Sequence, residues 1–176
     1  KTITKDNVTK KGRRYENFLE YIKVHPDANI VEMDTVIGKF EDENCILTIY
    51  FRKSKLMLMF LIRKFKPKEV TKVFNSLKEK LGETLFKKIF EIILTDNGWE
   101  FSEPADIEFN YKTGEKLVNV FFCDSYSSWQ KGGIERNHEF IRYIIPKGIS
   151  FDSLTKKNVI DMMNHINNVQ RKTLDY

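Results

Sequence analysis

The sequence predicts a mixed α/β fold, a sheet with helices packed on it. Three consecutive apolar, β-rich runs are joined by short polar turns, as in an antiparallel meander, and the later strand-like runs are separated by segments of helical period. A chain of 176 residues with 41% hydrophobic content can enclose a core of its own, so one domain is expected rather than several.

Residues 14–24 carry apolar side chains at helical spacing and stop near Pro26, which predicts a short lead-in helix. Residues 29–40, 45–52 and 56–62 are rich in Ile, Val, Thr, Phe and Met and are divided by E-D-E-N and K-S-K turns, so they read as three strands. Pro67 opens a helix whose Val70, Val73, Phe74, Leu77 and Leu81 share one face and which ends at Gly82. Residues 89–95 form a buried strand ending in Asp96-Asn97-Gly98, 101–115 a loop with room for a short helix, and 117–122 a further strand. Helices follow at 134–145 and 153–169. There is no internal repeat and no low-complexity tract.

The net charge of +5 is concentrated at the start, where Lys1, Lys5, Lys10, Lys11, Arg13 and Arg14 face only Asp6. Such a basic arm suits displacement of counterions from nucleic-acid phosphates, and a solvated leader has the same composition. A second basic stripe runs through 52–72, whereas 96–108 is acidic. The apolar run at 56–62 is far short of the roughly 20 residues that cross a bilayer, so no membrane association is expected. Cys45 and Cys123 match neither a disulfide framework nor a zinc spacing, and a reducing intracellular setting is expected. The absence of a leader pattern after Lys1 suggests a fragment of a longer protein.

Three acids occupy unusual places. Asp34 stands inside the first strand, where a charge is disfavoured unless it is paired or holds a cation. Asp96 ends a buried strand before a glycine turn, and Glu135 begins a helix after Gly132-Gly133. Hard divalent cations take carboxylate oxygens from rigid converging elements, and this set could supply them for phosphoryl transfer. Two of the three also have an ordinary reading: Asp96 as a turn former and Glu135 as a first-turn helix acid. Glu32, on the same strand face as Asp34, and Glu139, one turn beyond Glu135, are rival carboxylates.

Five motifs carry a more specific signal: E-M-D-T-V-I-G-K (32–39), L-T-D-N-G-W-E-F (94–101), F-F-C-D-S-Y-S-S-W-Q-K-G-G-I-E-R-N (121–137), I-R-Y-I-I-P-K-G (141–148) and N-N-V-Q-R-K-T-L-D-Y (167–176). Their order resembles the catalytic core of the insertion-sequence-thirty family of transposases, from about residue 29 to the end. The chain departs from that pattern at Val31, at Ser125 and at the residues flanking Glu135. The resemblance implies a ribonuclease H-like domain of the retroviral-integrase type over 29–176, preceded by a basic linker and lead-in helix over 1–28. It implies that Asp34, Asp96 and Glu135 are a DDE triad binding two magnesium or manganese ions.

It further implies that Arg142, two helical turns after Glu135 and about 10 Å along the axis, grips a DNA phosphate. Lys131, Arg136, Asn137, Lys147 and Trp129 are expected as further DNA contacts. Trp99 and Trp129 can equally pack the loops beside the site. His25, His138 and His165 share no metal spacing, with His138 the one to watch because it lies a turn from Glu135. No serine has a histidine partner nearby in sequence, and no phosphate-cradling loop for a nucleotide cofactor occurs. The expected activity is metal-dependent DNA cleavage and strand transfer in the bacterial cytoplasm, by a homodimer or larger assembly on element-end and target DNA. The alternatives are a nuclease of the same fold that does not join strands and a catalytically silent DNA-binding or assembly module. An upstream helix-turn-helix region is expected in such enzymes.

Overall fold

A computed structural model describes residues 9–169. Residues 1–8, with Lys1 and Lys5 of the basic arm, and 170–176, the end of the last motif, lie outside the described residues. In chain order the elements are α1 (Tyr15–Val24), β1 (Ile30–Ile37), β2 (Asn44–Phe51), β3 (Met57–Arg63), α2 (Pro67–Leu81), α3 (Glu83–Ile89), β4 (Ile92–Thr95), α4 (Pro104–Glu108), β5 (Asn119–Phe122), α5 (Gly132–Ile144) and α6 (Lys156–Asn167). Single 3-10 turns lie at Trp99–Phe101 and Ser128–Lys131.

The expected meander is present, with β2 antiparallel to both β1 and β3. β4 and β5 then add in parallel beside β1, so the sheet order is β3-β2-β1-β4-β5. This order makes β1 the central strand. Its register with β4 pairs Met33 with Thr95, so Asp34 and Asp96 come next on adjacent strands.

Because side chains alternate across a strand, the sheet has two cores. On one face Val31, Met33, Leu47, Ile49 and Ile93 pack with Val70 and Phe74 of α2 and Phe86 of α3. On the other, Val36, Ile46, Tyr50, Met57 and Met59 meet Ile134 and Ile141 of α5 and Val159, Met162 and Ile166 of α6. α1 covers the β4–β5 end of this second face, where Phe18 packs with Ile92, Leu94 and Phe121. Each fully buried side chain of this size contributes roughly 1.5–3 kcal/mol.

The structure shifts several expected boundaries. The strand expected at 89–95 starts only at Ile92, because Gly82 adopts φ 73° to end α2 and Glu83–Ile89 form another helix that drives Phe86 into the core. The loop at 101–115 contains α4, opened by Pro104 at its first turn. Likewise the strand expected at 117–122 pairs only from Asn119. α6 begins at Lys156, where the Asn158 backbone N–H donates to Thr155 Oγ1 at 3.1 Å.

The lead-in segment is built into the body from Arg13 onward. The Arg13 guanidinium donates to buried Glu108 at 2.5 Å, Glu108 also accepts the Val120 N–H at 3.0 Å, and the Phe122 N–H donates to the Arg13 carbonyl at 2.7 Å. Cys45 and Cys123 are free and buried, and burial pushes both thiols up to about 12. Among the described residues no helix is long and apolar enough to cross a membrane.

Candidate active site

Asp34 and Asp96 are each held by one oxygen and offer the other to a common centre. Asp34 Oδ1 accepts the Thr35 N–H at 2.8 Å, and Asp96 Oδ1 accepts the Gly98 N–H at 3.0 Å in the turn that the D-N-G motif predicts. Asn97 secures that turn by donating to the Cys123 carbonyl at 2.9 Å, just past β5. The remaining oxygens converge on the Lys131 ammonium, Asp34 Oδ2 at 2.9 Å and Asp96 Oδ2 at 3.7 Å.

Lys131 is 4% exposed and also donates to the Met33 carbonyl at 3.3 Å. Burial opposes its charge, but the two carboxylates outweigh it and raise its pKa, so it stands here as an ammonium. The Asp96 pKa is raised by burial in the cleft and by Asp34, against the lowering effect of Lys131. Its side chain is nonetheless 46% exposed, which leaves a route in from solvent.

Glu135 borders the same cavity of about 400 Å³ as Asp34 and Asp96. It also borders a second cavity of about 680 Å³, with His138, Glu139, Arg142 and Lys147, so the cleft runs on along α5. No three of the His, Cys, Asp and Glu side chains among the described residues form one cluster able to hold a metal ion as they stand. The two aspartates nevertheless enclose a cation, the lysine, and the third acid faces the same space. A donor set of hard carboxylate oxygens around a position that already accepts positive charge fits magnesium or manganese.

The N-terminus of α5 is set by a buried cluster. Glu32, 1% exposed, accepts the Ile134 N–H at 2.6 Å and the Arg52 Nε–H at 2.5 Å, while Arg52 also donates to the Gln130 carbonyl at 2.8 Å. A carboxylate under a helix N-terminus complements its free N–H groups and its dipole. Gly133 is needed for this approach, because a Cβ there would lie 2.5 Å from Tyr50 and 3.1 Å from Glu32. Glu32, a rival to Asp34 in the sequence, is thus committed to positioning the helix that carries Glu135. Glu139 is exposed on the wall of the second cavity.

The expected DNA contacts divide into two groups. Arg136, Lys147 and Trp129 are exposed. Arg142 lines the second cavity, donates to the Ile37 carbonyl at 2.7 Å and lies over the Phe151 ring. Lys131 and Asn137 are placed otherwise than expected. Lys131 is drawn to the aspartates, and Asn137 is 2% exposed, turned into the protein with its amide donating to the Gly133 carbonyl at 2.8 Å. Helical period explains the second correction, since Ile134, Asn137 and Ile141 form one buried face of α5. Tyr126 is exposed on the wall of the first cavity, and Trp99 is exposed beside the Asn97-Gly98 turn.

Two supports have no local signal in the sequence. Thr35, next to Asp34, donates its hydroxyl to buried Glu100 at 2.6 Å, tying β1 to the segment after the Asp96 turn. Thr48, paired with Asp34 across β1 and β2, donates to the Asp34 carbonyl at 3.0 Å. The same hydroxyl oxygen lies 2.8 Å from His138 Nε2, and with its proton given to the carbonyl it accepts from the Nε2–H tautomer. Burial, then the charges of Lys131 and Arg142, push this imidazole down to about 4.

An unfolded imidazole titrates near 6.5, so between about 6.5 and 4 the unfolded chain binds more protons than the folded one. Stability from this group is therefore full above that window and is lost as pH falls through it. His138→Gln should shrink the stability difference between pH 7 and pH 4.5 by roughly 2 kcal/mol. Denaturant unfolding of both proteins at both pH values measures it; equal differences would show that His138 does not contribute.

No family model matches the chain. It is similar to the transposase for insertion sequence element IS4351 of Bacteroides fragilis, 35% identical over 89% of this chain and 45% of the relative. It is 33% identical to the putative integrase ORF3 of Spiroplasma virus SpV1-R8A2 B, over 83% of this chain and 42% of the relative. Transposase InsI for insertion sequence element IS30C of Escherichia coli (strain K12) is 27% identical, over 96% of this chain and 44% of the relative. The chain thus spans somewhat less than half the length of these relatives. Among solved structures, a chain in the cryo-EM structure of the simian T-cell lymphotropic virus intasome in complex with PP2A regulatory subunit B56 gamma matches with TM-score 0.52. That match is 14% identical and covers 80% of this chain and 49% of that one. At such identity the likeness concerns the fold, and the five-stranded mixed sheet with helices on both faces is the expected ribonuclease H-like architecture.

Proposed function

This chain is a homologue of the insertion-sequence transposases, that of the insertion-sequence-thirty element among them, on a ribonuclease H-like fold, and we propose that it is the catalytic core of such an enzyme, cleaving and joining DNA strands. The observation that carries this reading is the convergence of Asp34 and Asp96, from neighbouring parallel strands, on one cation-accepting point, with Glu135 on the same cleft.

In this reading Asp34, Asp96 and Glu135 hold magnesium or manganese. The bound ions supply Lewis-acid activation of the attacking oxygen and charge stabilisation of the leaving one. The chain's own part is position. The Thr35 and Gly98 N–H groups fix the aspartates, and Glu32 with Arg52 fixes the start of α5 and so Glu135. The cavity along α5 offers Arg142 and Lys147 to the phosphate backbone, and exposed Trp129 and Tyr126 offer faces for bases. Water attacks a phosphodiester phosphorus and its 3′-oxygen leaves as a hydroxyl. That 3′-hydroxyl then attacks a phosphodiester of the target, forming one bond as the target's 3′-oxygen departs, so no covalent protein intermediate and no external energy source are needed. DNA is the substrate and partner, and an assembly holding two ends together is the working form.

The test is incubation of the protein with manganese and end-labelled branched DNA, which presents a joined intermediate without requiring a particular end sequence. Products longer or rejoined relative to the input support transposase chemistry. Shortened products alone mean a nuclease that does not join strands. Saturable DNA binding with no product means a silent module.

A further inference from the structure

The Lys131 ammonium sits where the proposed function needs a metal ion. Two buried carboxylates have fixed partners of their own: Glu32 has Arg52 and a helix N–H, and Glu108 has Arg13 and the Val120 N–H. Asp34 and Asp96 differ. Each has one oxygen tied to a neighbouring backbone N–H, and the other oxygen of each points to the same nitrogen. Two carboxylates on adjacent strands repel one another unless a cation lies between them, and in this cleft the protein supplies that cation itself.

We propose that Lys131 is a built-in stand-in for the metal: it holds Asp34 and Asp96 together in the metal-free protein and is displaced from between them when a divalent ion enters. The inference rests on the reading that these acids bind metal. An ammonium is a compact point charge on a flexible four-carbon stem, so it can fill an ion's position and leave without rearranging the backbone. It is carried by the last residue of the 3-10 turn at Ser128–Lys131, where α5 begins. Side-chain withdrawal there leaves the Glu32 contact that sets α5 intact, because that contact goes to the Ile134 backbone. The device has two consequences. It keeps an acidic cleft folded and neutralised before metal is available, and it sets metal affinity below what the carboxylates alone would give.

The experiment compares wild type with Lys131→Met, which keeps the length and apolar stem but removes the charge, and with Lys131→Gln as a polar second variant. Manganese binding is followed by titration of the free ion's paramagnetic signal, and thermal unfolding is recorded with and without manganese. Removing the competing ammonium, which lies 2.9 and 3.7 Å from the two carboxylate oxygens, should tighten manganese binding about tenfold or more. The variants should melt lower than wild type without metal and regain most of that difference with saturating manganese. If wild type and both variants bind manganese equally and melt alike without it, the acids bind metal but Lys131 is no stand-in. If manganese binds none of the three proteins, the metal reading itself falls, and this inference with it. A variant that fails to fold without manganese but folds with it supports the proposal; one that folds in neither condition overturns it, since the metal would then not replace the lysine.

Discussion

Asp96→Asn is expected to lower strand cleavage and joining by about 10²-fold or more while leaving the protein folded. Outer-shell residues around metal ligands typically cost 10- to 100-fold when removed, so loss of a ligand carboxylate should exceed that range. The fold should survive for local reasons. Asparagine keeps an oxygen for the Gly98 N–H, the turn remains tied by Asn97 to the Cys123 carbonyl, and Lys131 keeps Asp34 as its closer partner at 2.9 Å. The comparison requires product yield with manganese and a melting curve for each protein. Wild-type product yield from the folded variant would remove Asp96 from the chemistry and return it to the role of a turn former.

Glu32→Ala is expected to destabilise the protein by about 3 kcal/mol, the lower end of the cost of breaking a buried ion pair. Two groups lose their acceptor at once, the Arg52 guanidinium and the Ile134 N–H at the start of α5. Arg52 is 33% exposed and can turn to water, which keeps the cost from being larger. Glu32→Gln should recover part of the loss by still accepting the Ile134 N–H. Chemical denaturation measures the stability, and amide exchange at Ile134 reports the helix start. A change under about 1 kcal/mol, with unchanged exchange, would mean that α5 is set by apolar packing alone. Because Glu135 follows Ile134 directly, Glu32→Ala should also weaken manganese binding by 10- to 100-fold, the range for a residue that orients a ligand.

What the sequence determined by itself was local. Alternating apolar runs, the Pro67 start and Gly82 stop of α2, and the D-N-G turn after a buried strand are properties of a few consecutive residues, and they predicted the meander, the main helices and the aspartate turn. The ordered motifs marked Asp34, Asp96 and Glu135, which meet on one cleft. α3 has little local signal because it is only seven residues long, and burial of Phe86 in the core stabilises it. The division of labour among the charged residues was decided by tertiary structure. Glu32 and Asp34 share a strand face and look alike in sequence. Strand register and the seat of α5 give one to Arg52 and a helix N–H, the other to the cleft. Lys131 and Asn137 read as DNA contacts until α5 packs on the sheet, drawing the first between two aspartates and turning the second inward. Such pairings depend on distances between residues far apart in the chain, and those distances exist only once the sheet and its covering helices are assembled.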